Sequence, residues 1–328
     1  MAKILVVGGA GYVGSAATAW LEDHGHVTWV LDDFSTGHHE LLLNSRCFEA
    51  RAGEGERVTA FLKRERFDAV MHFAARSIVS ESVAKPQEYF ENNVIQTDLL
   101  IQSMLEAGIK RFIFSSSCAI FGDPGDQDID EKLEKKPKNP YGETKLEVER
   151  RLEQWSKKES LNSIALRYFN ASGTEPLQRV GELHNPETHL IPAILKNSMG
   201  GKPVSIYGTD YPTADGTCVR DYIHVWDLAA AHGAAVLRLI SDQSTGFEAY
   251  NLGSESGYSV KQIISACEKT LGRKIQTISE PRRPADPPRL VANAALAKKV
   301  LGFAPKIELT EILSSAWQWA QKSKQNLK

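Results

Sequence analysis

The chain has 328 residues, 42% of them hydrophobic and 24% charged, the composition of a soluble globular protein and more length than one core usually fills. Its formal net charge is only -2, and the densest charge run, residues 132–138, is mixed in sign, which argues against an electrostatic nucleic-acid binder. No stretch approaches the roughly 18 apolar residues of a membrane span, and the apolar run at residues 4–7 is too short for a secretory signal. The four cysteines, Cys47, Cys118, Cys218 and Cys267, are scattered without a metal-knuckle or redox spacing. A cytoplasmic protein without a metal site is the expectation.

Four short, nearly continuous apolar runs recur in the first half, at residues 4–7, 28–31, 69–73 and 111–115, and 164–168 is a fifth. Such runs suit strands buried on both faces. Segments of helical periodicity lie between or after them, at 15–24, 58–64, 94–107 and 141–158, with Gly25 and Gly108 where helices should end. This alternation predicts an α/β fold, a Rossmann-type doubly wound parallel sheet. After Gly173 prolines and glycines become frequent and strands look shorter, as at 204–207 and 249–252. The expected division is a nucleotide-binding domain over 1–173, joined by part of 217–255, and a smaller α/β domain over 174–328. A long amphipathic helix at 227–240 is expected to pack back on the sheet.

Gly8-Gly9-Ala10-Gly11-Tyr12-Val13-Gly14 follows the first strand and opens the first helix. Gly8, Gly11 and Gly14 allow a tight turn, a close approach of backbone N–H groups to a pyrophosphate, and close helix–strand packing. The second strand ends at Asp32-Asp33, where a carboxylate accepts hydrogen bonds from an adenosine ribose and repels a 2′-phosphate. NAD is therefore favoured over NADP. The alternative is that Asp32 merely begins a loop in which Ser35-Thr36-Gly37 are turn residues.

Tyr141 and Lys145 share a helical face by their i,i+4 spacing, and Pro140 favours a helix start. Only about one free tyrosine in a thousand is ionised at neutral pH, so a tyrosine base needs help of roughly 4 kcal/mol. A lysine ammonium and a positively charged nicotinamide both act in that direction. Ser117, after an apolar strand, falls at the sheet edge where α/β folds bind ligands, and could hydrogen-bond a reacting alcohol.

The glycine turn, Ser117 and the Tyr-x-x-x-Lys pair resemble the extended short-chain dehydrogenase/reductase superfamily. Phe73-Ala74-Ala75, Asn92-Asn93-Val94, Phe114-Ser115-Ser116-Ser117, Arg167-Tyr168-Phe169-Asn170, Thr188-His189-Leu190-Ile191-Pro192 and Arg220-Asp221-Tyr222-Ile223-His224 are similar to the UDP-glucose 4-epimerases. The resemblance spans essentially the whole chain. It implies that Tyr141 removes the sugar 4-OH proton, that bound NAD accepts the C4 hydride, and that the 4-keto sugar turns over before reduction from its other face. It further implies that Tyr12, Val13, Phe34, Ser35, Thr36, Gly37, Phe73, Ala74, Ala75, Asn92, Ser115 and Tyr168 join Tyr141 and Lys145 in lining the NAD site. Substrate would meet Ser117, Tyr141, Phe169, Asn170, His189, Leu190, Arg220, Arg283, Asp286 and Leu290. UDP-glucose and UDP-galactose would be the substrates and a homodimer, through the helices at 94–107 and 141–158, the assembly.

Departures from the family pattern also carry meaning. Arg51-Ala52 stand where relatives carry an aspartate for the adenine, and Ser77, Phe121 and Ala285 replace a lysine, a tyrosine and a glycine. Leu290, intermediate in size, sits where relatives gate room for a 2-N-acetyl group. The nearest rivals are other nucleotide-sugar enzymes: a UDP-N-acetylglucosamine or pentose 4-epimerase, a 4,6-dehydratase, or a UDP-glucuronate decarboxylase. Dehydratases carry an Asp-Glu pair and decarboxylases a glutamate where this chain has Cys118-Ala119, neither of which can transfer a proton in that role. A non-catalytic NAD-binding regulator would have no use for Ser117, Tyr141 and Lys145 together.

Overall fold

The structure, a computed structural model, describes residues 1–283 and 286–326; Ala285 lies outside them. The first half alternates strand and helix. Strands β1 (Lys3–Val7), β2 (Val27–Asp32), β3 (Arg46–Glu49), β4 (Ala69–His72), β5 (Arg111–Ser117) and β6 (Asn162–Tyr168) carry helices α1 (Tyr12–Asp23), α2 (Gly55–Glu65), α3 (Val79–Ala84), α4 (Pro86–Phe90), α5 (Gln96–Glu106) and α6 (Pro140–Glu159). Ile4, Leu5, Val6 and Val7 are all fully buried, as a strand covered on both faces requires. Gly25 and Gly108 take positive φ, 76° and 77°, just past the ends of α1 and α5.

Later elements are the strands β7 (Asn170–Ser172), β8 (Val204–Tyr207), β9 (Val219–His224), β10 (Phe247–Leu252), β11 (Gly257–Ser259), β12 (Thr277–Glu280) and β13 (Arg289–Leu290). They alternate with helices α7 (Leu190–Gly200), α8 (Val225–Ile240), α9 (Val260–Leu271), α10 (Ala295–Leu301) and α11 (Leu309–Asn326). The main sheet runs β3-β2-β1-β4-β5-β6-β10, parallel throughout. Strand order reverses between β1 and β4, which opens a ligand crevice at their C-terminal ends. One face is covered by α1, α8 and α10 through Leu21, Leu228, Val236 and Ala297; the other by α2, α5 and α6 through Phe61, Leu100, Met104 and Leu152.

Two elements differ from the sequence expectation. The strand β3 went unnoticed because in Arg46-Cys47-Phe48-Glu49 only two apolar residues stand between charges at the sheet edge, where no long apolar run is needed. The helix expected at 94–107 begins earlier: α4 runs into a wider π-turn, Glu91–Ile95, and on into α5. That turn places Asn93 to accept from the Arg76 N–H and donate to Thr144 Oγ1 on α6, at 2.8 and 3.1 Å. Helix α8 packs on α1 and on the sheet, as expected, and β10 beside β6 is the sheet's seventh strand.

The smaller assembly has two sheets. β9 pairs with β7, β11 and β13, while β8 and β12 form a parallel pair backed by α7, α9 and α11 through Ile194, Ile206, Ile263 and Leu313. Asp221 joins the assemblies. Its buried carboxylate accepts from Ser254 N and Oγ, Glu255 N and Ala292 N at 2.6–3.2 Å, holding the turn after β10 against β9. No described helix is long and apolar enough to cross a membrane, and all four cysteines are free.

Three histidines, His72, His224 and His232, are at most 2% exposed, and burial lowers their pKa values to about 3, 4 and 4. Below about pH 6.5 the unfolded chain therefore binds protons that the folded chain refuses. Stability should fall as pH drops from about 6.5 towards 4, by up to about 1.4 kcal/mol per pH unit for each histidine. Urea unfolding at pH 7, 6 and 5 measures this, and His232→Leu should flatten the slope by one proton's worth.

Candidate functional site

The crevice at the strand reversal is built by close backbone contacts. Gly8 takes φ +81°, and a Cβ there would lie 2.4 Å from the Ala74 nitrogen just after β4. A Cβ on Gly14 would lie 2.2 Å from the Gly8 carbonyl oxygen. So the turn after β1, the start of α1 and the 73–75 segment interlock only without those side chains. Helix α1 has Gly11 as N-cap, no capping side chain and no acid in its first turn. Its first intrahelical bond runs from Ser15 N to Gly11 O, which leaves the N–H groups of Tyr12, Val13 and Gly14 at the positive helix end.

Asp32, expected at the adenosine end, ends β2. Its carboxylate accepts from Ala10 N and Phe34 N, both at 3.0 Å, and Gly37 passes so near that a Cβ would meet Oδ1 at 2.8 Å. Burial raises its pKa against those two bonds. Asp33 is exposed and caps its own turn through Ser35 N and Oγ at 3.0 and 2.6 Å. Phe34 takes φ 52° and stacks on His39, and Thr36 is exposed. Arg51, in the place of the adenine-binding aspartate, comes within 4.0 Å of Asp33. Tyr12 turns away from the crevice: its hydroxyl donates to Gly173 O at 2.6 Å, which leaves its backbone N–H at the helix start.

The residues expected to carry the chemistry lie at the ends of β5 and β6 and the start of α6. Asn139 caps α6 by accepting from Gly142 N at 2.9 Å, and Pro140 opens it, which fixes Tyr141 in the first turn. Lys145 is buried; its ammonium donates to Ser115 O at 2.8 Å and lies 5.8 Å from the centre of the Tyr141 ring. Ser115 Oγ and Tyr168 OH are 2.6 Å apart. Ser117 ends β5, its hydroxyl accepting from Ala119 N at 3.2 Å, and its proximity favours the ionised form of Tyr141. Asn92 is half-buried in the π-turn alongside.

The protein's own field does not ionise Tyr141. Burial, then the neighbouring Tyr168, raise the phenol pKa, outweighing Ser117. Burial pushes Lys145 down to about 7, with Glu149 working the other way. The lysine is therefore a weaker tuner than its spacing suggested.

Sequence reading missed the group that supports Lys145. Glu149, one further turn along the same face of α6, forms a two-pronged pair with Arg167 at 2.9 and 2.6 Å and accepts from Ser116 Oγ at 2.6 Å. Both side chains are 3% exposed. The signal was present, since Tyr141, Lys145 and Glu149 continue one i,i+4 series.

The expected substrate residues are brought together in part. Asn170 on β7 donates to Asp221 O at 2.8 Å, and Leu290 on β13 is in register with Arg220 on β9. Arg220 is paired with Asp286 and donates to Val219 O and Pro287 O, both at 2.8 Å. Phe169 is buried with Cys118, Phe121 and Leu146, so it forms wall rather than a polar contact. Arg283 lies on the face of Tyr207, 4.0 Å from the ring centre. His189 caps α7, which Leu190 begins, and its Nδ1 lies 2.7 Å from Glu182 and 3.3 Å from Glu187. Those carboxylates outweigh burial and hold the imidazolium up to about 10.

Residues 4–253 match the family model described as "NAD dependent epimerase/dehydratase family". The chain belongs to this family. It is 42% identical over 318 residues to a UDP-glucose 4-epimerase of Halalkalibacterium halodurans, covering 96% of this chain and 95% of that protein. Among solved structures it superposes with a TM-score of 0.95, at 33% identity, on a UDP-glucose 4-epimerase from Stenotrophomonas maltophila with bound NAD and formylated UDP-arabinopyranose, covering 99% and 100% of the two chains. A second, the UDP-glucose 4-epimerase from Brucella ovis in complex with NAD, gives 0.93 at 39% identity, covering 98% and 99%. As an NAD-dependent epimerase/dehydratase family member, the chain uses NAD, and its crevice fits that cofactor. The side-chain-free cradle at Gly8 and Gly14, three N–H groups at a helix start and a buried carboxylate at the end of β2 are what the two ends of a dinucleotide require.

Proposed function

We propose that this enzyme is an isomerase that interconverts UDP-galactose and UDP-glucose through a 4-keto sugar, with Tyr141 as its acid and base. The observation that carries the reading is the convergence of Tyr141, Lys145 and Ser117 at the C-terminal end of the parallel sheet, beside the dinucleotide crevice. Gly8, Gly11, Tyr12, Val13, Gly14, Asp32 and Asp33, 34–37, 73–75, Asn92, Ser115 and Tyr168 would hold the cofactor, with Tyr141 and Lys145. When bound, NAD supplies a reversible hydride acceptor for C4 and a positive charge near the phenol.

Tyr141 takes the proton of the sugar 4-OH and returns it at the end of the cycle, so that acid and base are one group. Ser117 orients that oxygen and passes the proton. Lys145, anchored on Ser115 O, adds a buried cation whose value is high in a water-poor site. Asn170, Arg220, Asp286 and Arg283 recognise the diphosphate and ribose; guanidinium planes suit phosphate oxygens. His189 and Leu190 border the nucleotide, and Phe169 supplies apolar wall. Loss of water or carbon dioxide has no support here: Ala119 cannot move a proton, and burial pushes the Cys118 thiol up to about 12. The deciding experiment is a product assay with purified protein and UDP-galactose but no added NAD. UDP-glucose should accumulate to equilibrium, whereas a turnover that stalls without external oxidant would refute the reading.

Leu290, partly buried beside Arg220, leaves intermediate room at the sugar's 2-position. UDP-galactose should therefore turn over at least about tenfold faster than UDP-N-acetylgalactosamine, a gap of the size one pocket contact supplies. Equal rates would overturn the narrow specificity. The proposal extends to two domains, 1–173 with part of 217–255, and 174–328; to a homodimer; and to the cytoplasm. Val79, Val83 and Phe90, at 43%, 63% and 36% exposure on the short helices against α6, supply apolar surface for the dimer. Four unpaired cysteines suit a reducing compartment.

A further inference from the structure

The segment between β7 and α7 gathers four side chains that the reaction leaves without a role as a group. Glu182 Oε1 lies 2.8 Å from His184 Nδ1 and 2.7 Å from His189 Nδ1, and Glu187 Oε1 lies 3.3 Å from that same nitrogen. One ligand atom from each of the four falls within 4.8 Å of the others. The carboxylates are not surface acids: Glu182 and Glu187 are only 7% and 8% exposed, while the imidazoles are 33% and 47% exposed. The cluster is held from behind. Trp319 Nε1 donates to Glu182 O at 2.8 Å, and the edge of the Tyr12 ring packs against His184.

We propose that Glu182, His184, Glu187 and His189 form a binding site for a divalent transition-metal cation of the zinc class. Zinc takes four nitrogen and oxygen donors at about 2.0–2.2 Å, which sets tetrahedral neighbours roughly 3.3 Å apart. The three close pairs already lie at 2.7, 2.8 and 3.3 Å, so small side-chain shifts admit the ion. Two carboxylates and two neutral imidazoles balance a 2+ charge, and mixed imidazole–carboxylate donors select zinc-like ions over magnesium or calcium.

The site ties residues 182–184 to 187–189 and so fixes the start of α7. His189 would give Nδ1 to the ion and keep Nε2 for the nucleotide. The inference does not depend on epimerase chemistry, because it is read by metal binding alone. The test uses the NAD-bound protein, stripped with a chelator and dialysed, then titrated calorimetrically with Zn²⁺. One equivalent should bind with a Kd at or below about 1 µM, and His184→Gln should weaken it roughly a hundredfold while NAD stays bound. Substitution with Co²⁺ should give the visible absorption of a four-coordinate nitrogen–oxygen site without a thiolate band. If His184→Gln does not fold, Glu187→Gln is the second variant, with the same loss expected. The absence of saturable binding, binding unchanged by either variant, or a thiolate band pointing to a cysteine would each overturn the proposal.

Discussion

A Tyr141→Phe variant should convert UDP-galactose about a thousandfold more slowly than the native chain while retaining NAD and UDP. The phenyl ring keeps the packing at the start of α6 and removes one oxygen. Among the described residues no neighbour can take its place. Lys145 is bonded to Ser115 O and its ammonium lies 5.8 Å from the Tyr141 ring centre. The Cys118 thiol, held up to about 12 by burial, is almost wholly protonated at neutral pH. Ser117 is an alcohol with no partner basic enough to activate it. Loss of a positioned acid–base group costs about 10²- to 10⁴-fold, and here one group serves both half-reactions. Initial rates with calorimetric UDP binding measure this. A rate within tenfold of native would mean that another group moves the proton.

The same site explains what could and could not be read from the sequence. Strands β1, β2, β4, β5 and β6 announce themselves because each is an apolar run covered on both faces, and the glycine turn because a Cβ at Gly8 or Gly14 would enter backbone atoms. Such constraints are local and leave a local trace. β3 leaves little, since an edge strand tolerates Arg46 and Glu49. Glu149 left only its spacing, because its importance comes from Arg167 and Ser116 on neighbouring strands, distant in sequence. The pairing of Arg220 with Asp286 belongs to the same class: both residues were singled out for the ligand, and folding sets them against each other. The lowered pKa of Lys145 was invisible for a further reason. Charge state depends on burial, and the Tyr-x-x-x-Lys spacing says which face the lysine shares but not how dry that face is.

Glu149→Ala should destabilise the protein by about 3–5 kcal/mol, the cost of leaving a buried guanidinium without its counter-charge. Arg167 is 3% exposed, and among the described residues its Nη1 already has no partner, so losing Glu149 would leave it still fewer. Removing both charges is a different perturbation. In a Glu149→Met/Arg167→Met double variant no ion is stranded, and the loss should be well below that of Glu149→Ala alone. Activity should separate from stability in that double variant. Lys145, already pushed down to about 7, loses the one neighbouring anion that opposes its burial. It then becomes neutral at a lower pH, so the ammonium that assists Tyr141 is missing over more of the neutral range. The double variant should fold, bind NAD and still turn over slowly, with its rate declining towards high pH earlier than that of the native chain. Urea unfolding of the three proteins, together with a pH–rate profile, reads both consequences. Equal stability of Glu149→Ala and the native chain would remove the buried pair from the account, and an unshifted profile in the double variant would confine Glu149 to packing.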